Sequence, residues 1–260
     1  MTPSGSARVR SRAGVVICLT STLAVLLSAC GGGSSDFAVT HAPTGSTVVF
    51  VALGGAEAAG SQVNDPASQG WEQLFYRKAL SQKSVLYDLS SSQGTFVEDL
   101  GSGEANQALA LHPGLVTVWV GQENLLSGMP AYIFRRYLTS ALAKLASSKA
   151  KVLVANLLPI NQFPGYRTCE RDPLTCGLPT DYLPGAGELG SEIAGYDAAI
   201  AAAASATHTT VVNLNQAFTT KVADGARGGP GALVDSSDVG LTPAGEQLVA
   251  STFEAAYSNP

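Results

Sequence analysis

Five short, continuously apolar runs constrain the fold of this chain more than any other feature. They cover residues 47–53 (TVVFVAL), 85–89 (VLYDL), 115–120 (LVTVWV), 151–156 (KVLVAN) and 209–214 (TTVVNL). Runs rich in β-branched residues and apolar at nearly every position suit strands buried on both faces, because an open face would impose polar alternation. Segments of helical period lie between and after them, over 71–82, 98–111, 131–148, 188–206 and 243–257. Thr242 followed by Pro243 reads as an N-cap with proline at the first helical position.

Strands alternating with helices in this way predict right-handed crossovers and a parallel sheet covered on both sides. The expected architecture is therefore a three-layer α/β/α domain around a five-stranded parallel sheet, with flavodoxin-like strand order 2-1-3-4-5. Ligands of such sheets bind beyond the carboxyl ends of the strands, where the order reverses between the first and third. Here that crevice is expected between residues 54–60 and 121–125. Residues 157–187, with five prolines, read as a long loop forming a rim or lid.

The start of the chain has a different character. Arg8, Arg10 and Arg12 precede an apolar run from Ala13 to Leu27, followed by Ser28, Ala29 and Cys30. A basic stretch, a short apolar stretch and small residues predict a secretory signal over 1–29, too short for a comfortable membrane span. Leu-Ser-Ala-Cys resembles the bacterial lipobox, which implies lipidation of Cys30 and anchoring in the cell envelope, at the periplasm or outer membrane. Residues 30–45 then form a Gly/Ser-rich tether, and 46–260 the single domain.

The formal charge is −5. The leader holds three arginines and no acid, so the chain from Cys30 onward carries −8. A nucleic-acid partner is disfavoured, since phosphate contacts need clustered Lys and Arg. In an exported protein, Cys169 and Cys176 are expected to form a disulfide, worth about 2–3 kcal/mol for so short a loop. No histidine or further cysteine lies near them to complete a zinc set. The glycine spacing after the first strand is not GxGxxG and no Walker lysine follows. No cofactor or metal is expected.

At the crevice the residues resemble the SGNH or GDSL-type hydrolases. Members of that family carry Gly-Asp-Ser after the first strand, a glycine after the second, Gly-x-Asn-Asp after the third and Asp-x-x-His before the last helix. Serine attacks an ester, histidine takes its proton, and the glycine and asparagine help to hold the oxyanion. In ALGGAEAAG, Gly55 stands for the aspartate and Ala56 for the serine. In VLYDLSSSQGTFVEDL the glycine falls at Gln93 or Gly94. In VTVWVGQENLL, Gly121 is kept, but Glu123 stands for asparagine and Asn124 for aspartate. In SSDVGLTPAG, Ser237 and Gly240 replace the aspartate and histidine. The degenerate triad positions are thus Ala56, Ser237 and Gly240, and a carboxylate beside a developing oxyanion opposes catalysis.

His112 and His208 precede the third and fifth strands, on the edge of the sheet away from the crevice. The resemblance therefore implies a hydrolase scaffold without its chemistry: a pseudoenzyme that binds an envelope glycan, an acylated ligand or a protein partner. Ligand-binding candidates are Gly54, Gly55, Glu57, Ser91, Gln122, Glu123, Asn124 and Asp238. The alternative is a hydrolase, esterase or carbohydrate-active, with relocated residues such as Glu57 and Glu123. A plainer reading gives Glu57 only the positive end of a following helix. A third possibility is a filled crevice on a domain that works through its outer surface. Trp71 and Trp119, inside apolar segments, are expected in the core.

Overall fold

The computed structural model of the 260-residue chain describes residues 47–60, 63–172, 174, 183–223, 232–235 and 239–259. The leader, the tether, Cys30, Cys176, Ser237 and Asp238 lie outside the described residues. Those described belong to one compact unit, residues 40–260.

The apolar runs form β1 (Val49–Gly54), β2 (Val85–Asp88), β3 (Leu115–Trp119), β4 (Lys151–Ala155) and β5 (Thr210–Val212). All neighbours are parallel, in the order β2-β1-β3-β4-β5. Gly54 pairs in register with Trp119, so β1 and β3 end at the same level and their exit loops face each other. β3 is buried along its whole length, as a central strand under two helical layers must be. β2, at the edge, leaves Val85 and Tyr87 more than 40% exposed.

Helices α1 (Pro66–Gln69) and α2 (Trp71–Ala79) follow β1. After β2 come α3 (Val97–Asp99), a π turn at Leu100–Glu104 and α4 (Ala105–Ala110). Beyond β3 lie α5 (Gln122–Leu126) and α6 (Ala131–Ala146); beyond β4, α7 (Tyr166–Arg171) and α8 (Ala186–Thr207). The chain closes with α9 (Leu214–Ala223) and α10 (Pro243–Ser258). Right-handed crossovers in this strand order place α2 on one face of the sheet and α4, α6 and α8 on the other.

An aromatic cluster joins α2 and α10 to the sheet. Trp71 stacks on Phe253 with centroids 4.2 Å apart, and meets Trp119 edge-on at 6.1 Å. Phe75 contacts Phe50 edge-on at 5.3 Å. Both tryptophans are buried, as their apolar surroundings in the sequence predict; truncating such a residue costs about 3–5 kcal/mol. α10 begins as its sequence requires: Thr242 Oγ1 accepts the Gly245 N–H at 3.2 Å, and Pro243 opens the helix.

Three local departures have physical causes. The helix expected over 98–111 is interrupted by the π turn, which holds Gly101 and Gly103. Residues 157–187 are no plain loop: they contain a 3-10 turn at Ile160–Gln162 and α7, which buries Tyr166 and Cys169. The fifth strand stops at Val212, because Asn213 Oδ1 accepts the Gln216 N–H at 3.0 Å and caps α9. Among the described residues no helix is long and apolar enough to cross a membrane.

Candidate functional site

The exit of β1 is held from three sides. Gly55 donates its N–H to the Trp119 carbonyl at 3.2 Å, and Ser91 donates to the Gly54 carbonyl at 2.9 Å. The indole N–H of Trp71 reaches the Ala58 carbonyl at 2.9 Å. A Cβ on Gly54 would lie 2.1 Å from the Trp119 carbonyl oxygen, so only glycine permits this closeness of β1 and β3. Residues 55–60 form a turn, and Glu57 is buried within it rather than placed at a helix start. The helix-dipole reading of Glu57 is therefore corrected: the β1 loop turns its side chain inward.

Glu123, on α5, comes back over the end of β1. Its Oε1 accepts the Ala56 N–H at 3.3 Å. A Cβ on Gly55 would lie 2.3 Å from that same oxygen, and a Cβ on Gly94 would lie 2.9 Å from it. The carboxylate of Glu123 thus occupies the space between the β1 and β2 exit loops. Gly55, where the hydrolase pattern has aspartate, leaves the room that Glu123 fills. Of the two readings for the glycine after β2, it is Gly94, with φ of 92°, that lines this space.

Glu57 lies against Glu123 from the other side. Burial, and then the charge of Glu123, raise the Glu57 carboxyl well above the ordinary carboxylate range; its own N–H and that of Gln122 pull the other way. Glu57 Oε1 and Glu123 Oε2 are both buried and make no hydrogen bond among the described residues. In so dry a place the charged form of Glu57 is disfavoured beside a second carboxyl.

Two further acids, which the sequence reading missed, line the same region. Glu246 on α10 and Glu72 on α2 are buried behind the turn, Glu246 accepting the Trp71 N–H at 3.0 Å. Burial raises Glu246 to about 7 against the pull of the Trp71 N–H, and burial followed by the charges of Asp88 and Glu246 raises Glu72, whose Oε1 makes no hydrogen bond among the described residues, to about 9. Their signal was legible in spacing: Glu246 shares an apolar stripe with Val249, Ala250 and Phe253, and Glu72 with Phe75 and Ala79. Glu57, Gln122, Leu158, Val239, Leu241 and Glu246 enclose a cavity of ≈ 10 Å³, about enough for one water.

Of the other expected ligand contacts, Asn124 is internal. Asn124 is fully buried; its Oδ1 accepts the Val97 N–H at 3.0 Å and its Nδ2 donates to Glu98 at 3.1 Å. It ties α5 to α3 and is not available to a ligand. Ser91 Oγ receives the Gln93 N–H at 3.3 Å within its own turn. Gly240 is buried, its carbonyl accepting the Asp235 N–H at 2.9 Å. His208 ends α8 and His112 follows α4, both before the strands they precede and away from the crevice. Among the described residues no group of three or more His, Cys, Asp or Glu is arranged to hold a metal.

No protein-family model and no curated sequence matches the chain. Solved structures do share its architecture. An acetyl xylan esterase superposes with a TM-score of 0.59 at 17% identity, over 80% of this chain and 99% of its own. The fold is that of the SGNH hydrolases. A G-D-S-L-family lipolytic protein of Veillonella parvula matches at TM-score 0.58 and 14% identity, covering 81% of this chain and 98% of its own. An acetylxylan esterase of Geobacillus stearothermophilus matches at 0.58 and 13%, covering 83% and 96%. At these identities the likeness is one of fold, and what this SGNH-type domain does must come from its own crevice.

Proposed function

We propose that this chain is a lipid-anchored protein of the bacterial cell envelope that keeps the SGNH-type fold, lacks ester hydrolysis and works by binding. One observation carries this reading: the Glu123 carboxylate fills the space between Gly55 and Gly94 and takes the Ala56 N–H. An acyl ester reacting at Ala56 would need that space for its carbonyl and that N–H for its oxyanion. With alanine as the residue there, no nucleophile is offered either. The cavity beyond has room for about one water, so an envelope glycan, acylated ligand or protein partner is met on the outer surface.

The purified domain is expected to hydrolyse neither p-nitrophenyl acetate nor the butyrate, and to resist labelling by a fluorophosphonate. Turnover that survives purification and disappears in Glu57→Gln or Glu123→Gln would defeat the proposal.

The anchor and the disulfide are read from sequence, with the burial of Cys169 on α7 supporting a structural role for it. The intact mass of the exported protein tests both. A diacylglyceryl adduct on a chain beginning at Cys30, and two hydrogens fewer than the reduced form, are expected. A free amino terminus elsewhere, or a fully reduced mass, contradicts the respective assignment.

A further inference from the structure

If the crevice is closed, the face that meets a partner must be found elsewhere, and charge distribution singles one out. From Asn124 to Cys169 the sequence has no aspartate or glutamate, yet it holds Arg135, Arg136, Lys144, Lys149, Lys151 and Arg167. This stretch is six positive in a chain that carries −8 from Cys30 onward, so everything else is fourteen negative. Two of the six cations are spent on carbonyls: Lys144 Nζ binds that of Gly101 at 3.1 Å, and Lys151 Nζ those of Tyr257 and Asn259 at 2.6 and 3.0 Å. Arg135 and Arg136 are not. Both are exposed on α6 and make no ion pair among the described residues.

Their surroundings are equally specific. Tyr132 is 68% exposed and Tyr137 37%, with the Arg136 guanidinium 5.2 Å from the centre of the Tyr137 ring. Between α6 and α8 runs a groove of ≈ 200 Å³ bounded by Tyr132 and Arg135 and floored by Ala131, Gly195, Ala198 and Ala199. Beyond Glu192 the exposed side of α8 presents Ala194, Ala198, Ala201, Ala202 and Ala206. The one acid in that part of the helix, Asp197, is turned inward to accept the Leu157 N–H at 3.1 Å. Glu188 and Glu192 mark where the face ends.

We propose that the α6/α8 face docks on an anionic lipid bilayer. The inference rests on the reading that this chain works by binding. Paired arginines with Tyr132 beside a smooth alanine surface match the chemistry of the headgroup layer, where cations meet phosphates and amphipathic rings sit at the boundary. The surface is broad and shallow, which suits a plane of headgroups better than a single small anion. The acids on the rest of the domain do not oppose this. At 0.1 M salt the screening length is about 10 Å, so a bilayer on one face is shielded from charges on the opposite one. The arrangement sets the orientation as well, since the acidic faces are repelled.

The test uses a chain beginning at Gly31, which lacks any lipid yet keeps the whole core, since that core lies between Val48 and Tyr257. Co-sedimentation with vesicles of phosphatidylglycerol and phosphatidylcholine is expected at 0.1 M salt, with none on pure phosphatidylcholine and release at 0.5 M. Arg135→Gln/Arg136→Gln should weaken binding about 30-fold, the loss of two surface cations. Arg167→Gln/Arg171→Gln on α7 should bind like the parent. Equal binding to neutral vesicles, no binding to either kind, or parent-like binding by the α6 double variant overturns the proposal. So does retention of an acidic protein without vesicle binding. The ester assay on the same preparations reads the underlying function separately: turnover there would sink the binding reading, whereas vesicle indifference sinks only this face.

Discussion

Between pH 5 and pH 8.5 the melting temperature of this domain is expected to fall by about 10 °C. The cause is the set of buried acids around the β1 loop. Glu57 is raised by burial and by Glu123, Glu72 to about 9 by burial, Asp88 and Glu246, and Glu246 to about 7 by burial. In the unfolded chain each titrates near 4.3. A carboxyl whose folded value lies above its unfolded value takes up a proton on folding. Its contribution is complete below the unfolded value and is lost as pH rises through the folded one. The window therefore opens near pH 4.5 and closes at about 7 for Glu246 and about 9 for Glu72. A carboxyl that stays protonated across it costs the fold about 1.4 kcal/mol per pH unit. Local opening and water entry reduce the total to a few kcal/mol, and 1 kcal/mol is worth about 2–4 °C in a domain of this size. Glu72→Gln separates this from a general charge effect. It should raise the melting temperature at pH 8.5 by several degrees and leave that at pH 5 nearly unchanged. A flat profile, or one that rises with pH, would show these acids to be hydrated and ionised in the native state.

Why such costly groups persist bears on what the sequence could reveal. The strand order and the layers were legible because continuous apolar runs and helical stripes report burial directly: β1, β3 and β4 carry hardly a polar side chain, and the packing of Phe50, Phe75 and Phe253 follows from their spacing. That Ala56 and Gly240 stand where the hydrolase pattern has its serine and its histidine was legible too. The contact of Glu57 with Glu123 was not. A glutamate in a glycine-rich turn ordinarily points to water, and nothing along the chain says that a helix 66 residues on (123 − 57) will cover it. The available clue was complementary volume, a side chain removed at Gly55 and a longer one supplied at Glu123. Asn124 misled for the opposite reason: an amide beside a crevice looks free until the backbone N–H of Val97 is seen to need an acceptor. The two helices of the proposed docking face show a further limit. Their pattern identified each inner side, while the acid-free part of the outer side, beyond Glu192, emerges only once Arg135, Tyr132 and the alanines of α8 are seen together.

Restoring the missing catalysts alone is expected to leave the crevice inert. Ala56→Ser with Gly240→His supplies a nucleophile and a base, yet the Glu123 carboxylate still holds the N–H of residue 56 and still fills the gap beside Gly55 and Gly94. An oxyanion forming there would meet an acceptor in place of a donor, and a negative charge besides. Adding Glu123→Asn shortens the side chain by one methylene and exchanges the acceptor for an amide that can donate; adding Ser237→Asp provides the residue that orients the imidazole. A single oxyanion donor is worth about 10²–10³ in rate. The four-residue variant should therefore hydrolyse p-nitrophenyl acetate at least ~100-fold faster than the two-residue one, which should stay near the buffer rate. The emission of Trp71 and Trp119, both packed beside the turn, reports whether each variant keeps the fold. If the two-residue variant turns over as fast as the four-residue one, Glu123 does not block the site, and the crevice is more open than its carboxylates imply. If Glu123→Asn makes the difference, then the loss of chemistry here involves more than a missing serine and histidine: an internal carboxylate has taken the place of the reaction's own anion.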